Sequence, residues 1–159
     1  MKRGVWALTI AAAINYAVLI WVGMGAMGGQ KPLDLYYFGY SYDDVMALLM
    51  RLDFESALYV AGTVRMIDTS FPILLGLALA GWIWIGAHGR SAVWRLAVLV
   101  PLAYTAVDLY ENQLIAQILT GMLPSPELVE WASLVTMVKF GLVGLSAIVL
   151  FGAASGGDD

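Results

Sequence analysis

The chain has 159 residues, 61% of them hydrophobic and only 13% charged, with a mean hydropathy of +0.81; a water-soluble domain of this size could not bury so much apolar surface. The net charge of −4 offers no basic footprint for nucleic acid, and the absence of cysteine excludes disulfides, thiolate metal sites and cysteine nucleophiles. With one histidine, His88, a multi-histidine metal or haem site is not expected, and neither is any cofactor.

The first apolar run extends from Val5 to Met27, behind Lys2 and Arg3. It is longer than the apolar core of a secretory leader, about 7–15 residues, and reaches the roughly 20 residues that cross a bilayer as a helix. It is read as a retained first transmembrane helix over residues 5–27.

Residues 30–68 differ in kind, holding Asp34, Asp43, Asp44, Asp53, Glu55 and Asp68, half of the twelve acids. The stretch 33–42 is turn-like and aromatic. Ser41 followed by Asp44 is the pattern of a capping box. Behind it, Val45, Leu48, Leu49 and Leu52 recur at helical spacing, which predicts an amphipathic helix over 41–52 with those residues as its apolar face. A second helical stretch is expected over 54–66. Both are read as lying along the outer membrane interface with tyrosines at headgroup level, or as a loop packed over the mouth of the bundle; the two readings are compatible.

The second span is placed at about 69–87, with Pro72 in its first turn, where a missing N–H costs nothing. A tight turn over 88–92 makes the second and third spans antiparallel neighbours. The third span is placed at 94–120, and Ser125-Pro126 reads as N-cap and first helical residue of a fourth over 127–151. A small polar tail, 153–159, follows. The sequence thus predicts one all-α domain: a four-helix integral membrane bundle with a periplasmic amphipathic helical segment. Lys2, Arg3, Arg90 and Arg95 flank one side of the spans, and Lys31, Arg51 and Arg65 are dilute in the long acidic segment. This places both termini in the cytoplasm under the positive-inside rule, in a bacterial inner membrane.

Ionisable residues within spans are costly, about 2.5–3.5 kcal/mol each at a helix centre on insertion scales, and are therefore paired, buried or functional. Asp108, Glu111 and Asn112 fall in the third span, and Thr136 and Lys139 in the fourth. Asp108 lies 13 residues before Gly121, and Lys139 lies 13 residues after Pro126. At 1.5 Å per residue both are roughly 20 Å below the same surface. Tyr104, Asp108, Glu111 and Ile115 share one helix face, and Asn15 of the first span has a similar depth. One reading is structural: an Asp108–Lys139 pair fixes helix register, with Asn15 and Asn112 bonding between helices. The other is chemical: Asp108, Glu111 and Lys139 form an acid/base or proton-binding site, with Glu111 as the surplus acid. Arg65 and Asp68, three residues apart, are expected to pair, and with Tyr59 to form the mouth of a cavity above Asp108. Trp82, Trp84 and Trp94 are read as aromatic-belt residues and His88 as a solvated turn residue.

The ordered motifs Pro-Leu-Asp-Leu (Pro32–Leu35), Gly-Tyr-Ser (Gly39–Ser41), Tyr59, Asp-x-x-Phe-Pro (Asp68–Pro72), Asp-x-x-Glu-Asn (Asp108–Asn112) and Thr-x-x-Lys (Thr136–Lys139) resemble those of a widespread bacterial family of small four-helix integral membrane proteins. The resemblance covers nearly the whole chain and implies the same fold. Glu55-Ser56 stands where that pattern has Gly-Arg, and Leu75 where it has tyrosine. An activity lost with the scaffold kept is the expectation these departures raise.

The leading functional expectation is an accessory or structural subunit packed against a larger membrane complex, without catalysis of its own. The alternative is a membrane-embedded enzyme acting by acid/base chemistry, through Asp108 and Glu111, on an apolar lipid or isoprenoid. A third is proton or small-molecule translocation by an oligomer. Expected partners are membrane lipids and other membrane subunits.

Overall fold

Helix formation follows the long apolar runs. The computed structural model describes residues 1–121 and 123–155. Four helices are long and apolar enough to cross a membrane: α1 (Lys2–Ala26), α3 (Phe54–Gly86), α4 (Ala92–Thr120) and α5 (Pro126–Ser155). A short α2 (Tyr42–Leu49) lies between the first two. There is no strand among the described residues, and the architecture is that of an all-helical, multi-pass membrane bundle. Helix α3 is its hub, packing against α1, α4 and α5, while α4 also packs along α5. Of the polar tail expected over 153–159, Ala153–Ser155 belong to α5; 156–159, like Met122 of the loop before Ser125, lie outside the described residues.

Small residues let the helices approach closely, as interfaces without a hydrophobic driving force require. At Gly76 a Cβ would lie 1.9 Å from the Thr105 hydroxyl. At Gly86 it would lie 3.0 Å from the Ala153 backbone. Arg90, in the turn between α3 and α4, donates to the carbonyls of Gly152 and Ala153 at 2.6 and 3.2 Å and stacks over Trp94 at 3.9 Å. It thereby satisfies carbonyls at the end of α5 that the helix leaves unpaired. Trp82 donates to Thr9 at 3.0 Å and meets Trp6 edge-on, and His88 is exposed.

The second span departs from its expected bounds. Asp53 caps a helix that runs unbroken to Gly86, accepting from the Ser56 N–H at 2.9 Å. The stretch 54–66, expected at the interface, is therefore the first part of α3. Pro72 is interior to it and cannot donate to the Asp68 carbonyl. Hydroxyl side chains around this part of α3 bond within the bundle. Thr69 and Ser70 donate to the Arg65 and Ile67 carbonyls at 2.7 and 2.6 Å, and Thr105 donates to the Pro72 carbonyl at 2.9 Å. A wide π turn at Val60–Val64 marks the join. Helix α5 is also longer than expected, and α4 starts at Ala92 behind Ser91, with an irregular turn at Ala97–Val98.

The segment after α1 does not stay at the surface. Gly28 and Gly29, with φ of 57° and 79°, turn the chain back. It then descends between the helices: the Tyr40 N–H donates to Ser133 Oγ at 2.8 Å, Tyr37 packs edge-on to Phe140 at 4.5 Å, and Lys139 donates to the Asp34 carbonyl at 3.2 Å. Phe140 is near the middle of the 30-residue α5. Tyr36 and Tyr37 are thus not at the end of the bundle where headgroups would lie. Irregular backbone at such depth is tolerable only when it is buried in protein or lines a cavity; here Leu33 and Tyr40 are buried and Asp34 and Leu35 line a cavity, while Phe38 is exposed. Gly39 (φ 83°) closes the excursion, where any Cβ would lie 2.7 Å from Ser133 Oγ.

The capping box forms as predicted: Ser41 Oγ accepts from Asp44 N, and the Asp44 carboxylate accepts from Ser41 N at 2.8 Å. The helix stops at Leu49, three residues short of expectation, and Leu52 follows it. Val45 and Leu48 are buried against Ile118, Leu119, Val129 and Ala132. The apolar face is turned onto the bundle, so the reading as a packed lid is the one the contacts support.

Candidate functional site

Asp108, Glu111, Thr136 and Lys139 come together between α4 and α5, because 3–4 spacing puts each set on one face and the antiparallel helices match them in depth. The expected Asp108–Lys139 pair forms, and Glu111 is the closer partner. Lys139 Nζ lies 2.5 Å from Glu111 Oε2 and 3.4 Å from Asp108 Oδ1. Glu111, fully buried, also receives the Thr136 hydroxyl through Oε1. Glu111 is therefore the main counter-ion, and Asp108 is the acid held more loosely. The cost of burying one cation between two carboxylates is offset in part by the Thr136 hydroxyl on Glu111 and the Asp34 carbonyl on Lys139.

Asp108 and Lys139 open onto a cavity of about 210 Å³. Asp34 and Asp68 also line it, with Tyr104 and the apolar side chains of Leu19, Phe71 and Val143. A second lobe of about 80 Å³ adjoins it and shares Tyr16, Leu19, Asp34, Leu35 and Asp68 with the first. Four carboxylates thus surround one lysine. Among the described residues Asp34 and Asp68 make no ion pair, and no set of His and carboxylate side chains is arranged to hold a metal ion.

Other expected site residues are placed differently. Asn15, half-buried, does not reach Lys139; it donates to Ser70 Oγ at 2.6 Å and the Ile67 carbonyl at 3.4 Å, because α1 packs mainly along α3. Asn112 is buried but faces the second lobe. Arg65 donates to Gln113 of α4 at 2.6 Å and forms no ion pair with Asp68, whose carboxylate is turned to the cavity. Both nonetheless line the second lobe. Tyr59 is 45% exposed and lines neither lobe, since beyond the π turn it is Val60, Ala61 and Val64 that face inward. Sequence reasoning missed Asp34 as a site residue. The signal was present: an acid between two leucines behind Pro32 is not the pattern of a solvated loop.

The motif residues Asp34, Asp68, Asp108, Glu111, Thr136 and Lys139, spread over more than 100 positions, therefore meet around one cavity. Comparisons with family models, curated proteins and solved structures found no match to this chain. Fold and site define a multi-pass α-helical membrane protein with an internal cavity rich in carboxylates.

Proposed function

We propose that this chain is a membrane-embedded enzyme that performs acid/base chemistry on an amphipathic lipid or isoprenoid. The observation that carries the reading is the cavity itself: an ion pair that only fixed helix register would need no open volume beside it and no further carboxylates around it. In this reading Asp68 and Asp108 exchange protons with the substrate. Glu111 and Thr136 hold Lys139 in place, and Tyr104 offers its hydroxyl at the cavity wall. The apolar walls suit a substrate drawn from the bilayer. The flanking Lys and Arg residues support a bacterial inner-membrane location with both termini in the cytoplasm, and so a site approached from the periplasmic half. The motif order supports membership in the bacterial four-helix family it resembles.

The test compares lipid extracts of cells producing the wild type, Asp68→Asn or Asp108→Asn by mass spectrometry. A lipid species that changes in abundance with the wild type and not with either variant is expected. Identical profiles, together with stoichiometric co-purification with a larger complex in mild detergent, would replace this reading with that of an accessory subunit.

A further inference from the structure

Three features of the cavity bear on what it holds. The first is charge. Lys139 is taken up by Glu111 and Asp108, and Arg65, at the wall of the second lobe, bonds to Gln113, which leaves Asp34 and Asp68 at the junction of the two lobes without an ion pair. The second is shape. The second lobe is a narrow slot between α1, α3 and α4, walled by Leu19, Ile20, Met24, Val64, Ile115 and Leu119. Its small volume and apolar walls suit an alkyl chain. The third is Asn112, only 5% exposed, which lines this slot while its amide nitrogen has no partner in the protein. A buried donor left unpaired is costly, and a ligand acceptor at this point removes that cost.

We infer that the two lobes form one binding site for a single-chain amphiphile with a protonated amine at its polar end, held between Asp34 and Asp68, its chain in the slot and an oxygen acceptor near its polar end meeting Asn112. This deepens the proposed function by naming the substrate class, and rests on it. A phosphate or carboxylate headgroup would add negative charge to a site that already has four carboxylates to one lysine and one arginine. An amine restores balance, and charge pairing in a dry cavity is far stronger than in water.

The protein in phosphatidylcholine nanodiscs, followed by thermal unfolding, provides the test. Dodecylamine should raise the unfolding temperature, dodecanoate and dodecyl phosphate should not, and Asp68→Asn should weaken the amine at least tenfold. That variant also controls for simple partitioning of the amine into the bilayer. Ala116→Phe, which fills the slot, should abolish the advantage of dodecylamine over butylamine. A 1-amino-2-alkanol should bind several-fold more tightly than the plain amine to the wild type, and equally to Asn112→Leu. Equal binding of the anionic and cationic chains, or an amine effect unchanged in Asp68→Asn, would overturn the inference while leaving the acid/base reading to the lipid profiles. No response to any of the probes would overturn it as well, and a lipid change that persisted would then point to a neutral substrate.

Discussion

Glu111, and not Asp108, is the close partner of Lys139: their charged atoms are 2.5 Å apart, against 3.4 Å for Asp108. The division of labour follows from position. Glu111 is sealed behind the lysine and takes a second bond from Thr136, whereas Asp108 faces open volume. One acid therefore holds the cation, and the other is available to a ligand.

Lys139→Met should destabilise the bundle by about 3–5 kcal/mol, because it strands a buried carboxylate. Glu111→Gln should be severe for the converse reason. The double variant should be milder than the sum of the two singles, since the groups are in direct contact. Asp108→Asn should cost the least of the single changes. Reversible unfolding in mixed detergent micelles gives these four values, and a Glu111→Gln protein as stable as the wild type would contradict the assignment.

The lid has its own pH dependence. The backbone N–H of Ser41 holds the Asp44 carboxyl below the usual carboxylate range, and the backbone N–H of Ser56 does the same for Asp53. A folded-state value below the unfolded one gives stability that is present above the unfolded value of about 4 and lost as pH falls through the lowered folded value. Hydrogen exchange at amides of α2 should therefore accelerate below about pH 4 before the spans respond. Ser41→Ala should remove about 1 kcal/mol from the lid at neutral pH and make its exchange less sensitive to acid.

Much of the fold was legible because hydropathy and caps are local. Four apolar runs gave four helices, Ser41 and Asp44 gave the capping box, and Ser125 does accept from the Leu128 N–H at 3.2 Å. The Asp108–Glu111–Lys139 cluster was legible from depth alone. Pairing within it was not, because a difference of one ångström between two acids on one helix face depends on rotamers. The descent of 33–40 into the bundle was hidden for another reason. Its polar backbone meets Ser133 and Lys139, 93 and 105 residues away, and no local pattern records such partners. Asn15 and Arg65 failed similarly: each bonds to the helix it packs against, at Ser70 and Gln113.

The topology is open to cysteine labelling, since the chain has no native cysteine. Met50 is 80% exposed between the lid and the start of α3, and His88 is exposed beyond the other end of α3. Met50→Cys should label only from the periplasmic side and His88→Cys only from the cytoplasmic side. Gly39 is unsuitable, because its positive φ and its contact with Ser133 would confound labelling with misfolding. Labelling of both positions from one side would contradict the topology.

The contact between Gly76 and Thr105 should be the least forgiving in the bundle. Thr105 Oγ1 lies where a Cβ on Gly76 would sit, and it bonds to the carbonyls of Pro72 and Pro101 at 2.9 and 3.1 Å. The hydroxyl cannot rotate away without leaving both, and the Pro101 carbonyl itself would be 3.0 Å from the new methyl. Gly76→Ala must therefore push α3 from α4, at a cost of about 1–3 kcal/mol for overpacking. Intrinsic helix preference points the other way, favouring alanine by about 1 kcal/mol. Gly141 and Gly144, where an added Cβ would meet nothing within 4 Å, measure that preference alone. Gly141→Ala and Gly144→Ala should be neutral or stabilising in the same unfolding assay, and Gly76→Ala clearly destabilising. Because α3 carries Asp68 and α4 carries Asp108, separating the two helices at Gly76 should also reshape the cavity between them. Loss of ligand protection in Gly76→Ala with no loss of stability would show that the contact orders the site without contributing to the fold, contrary to the packing argument.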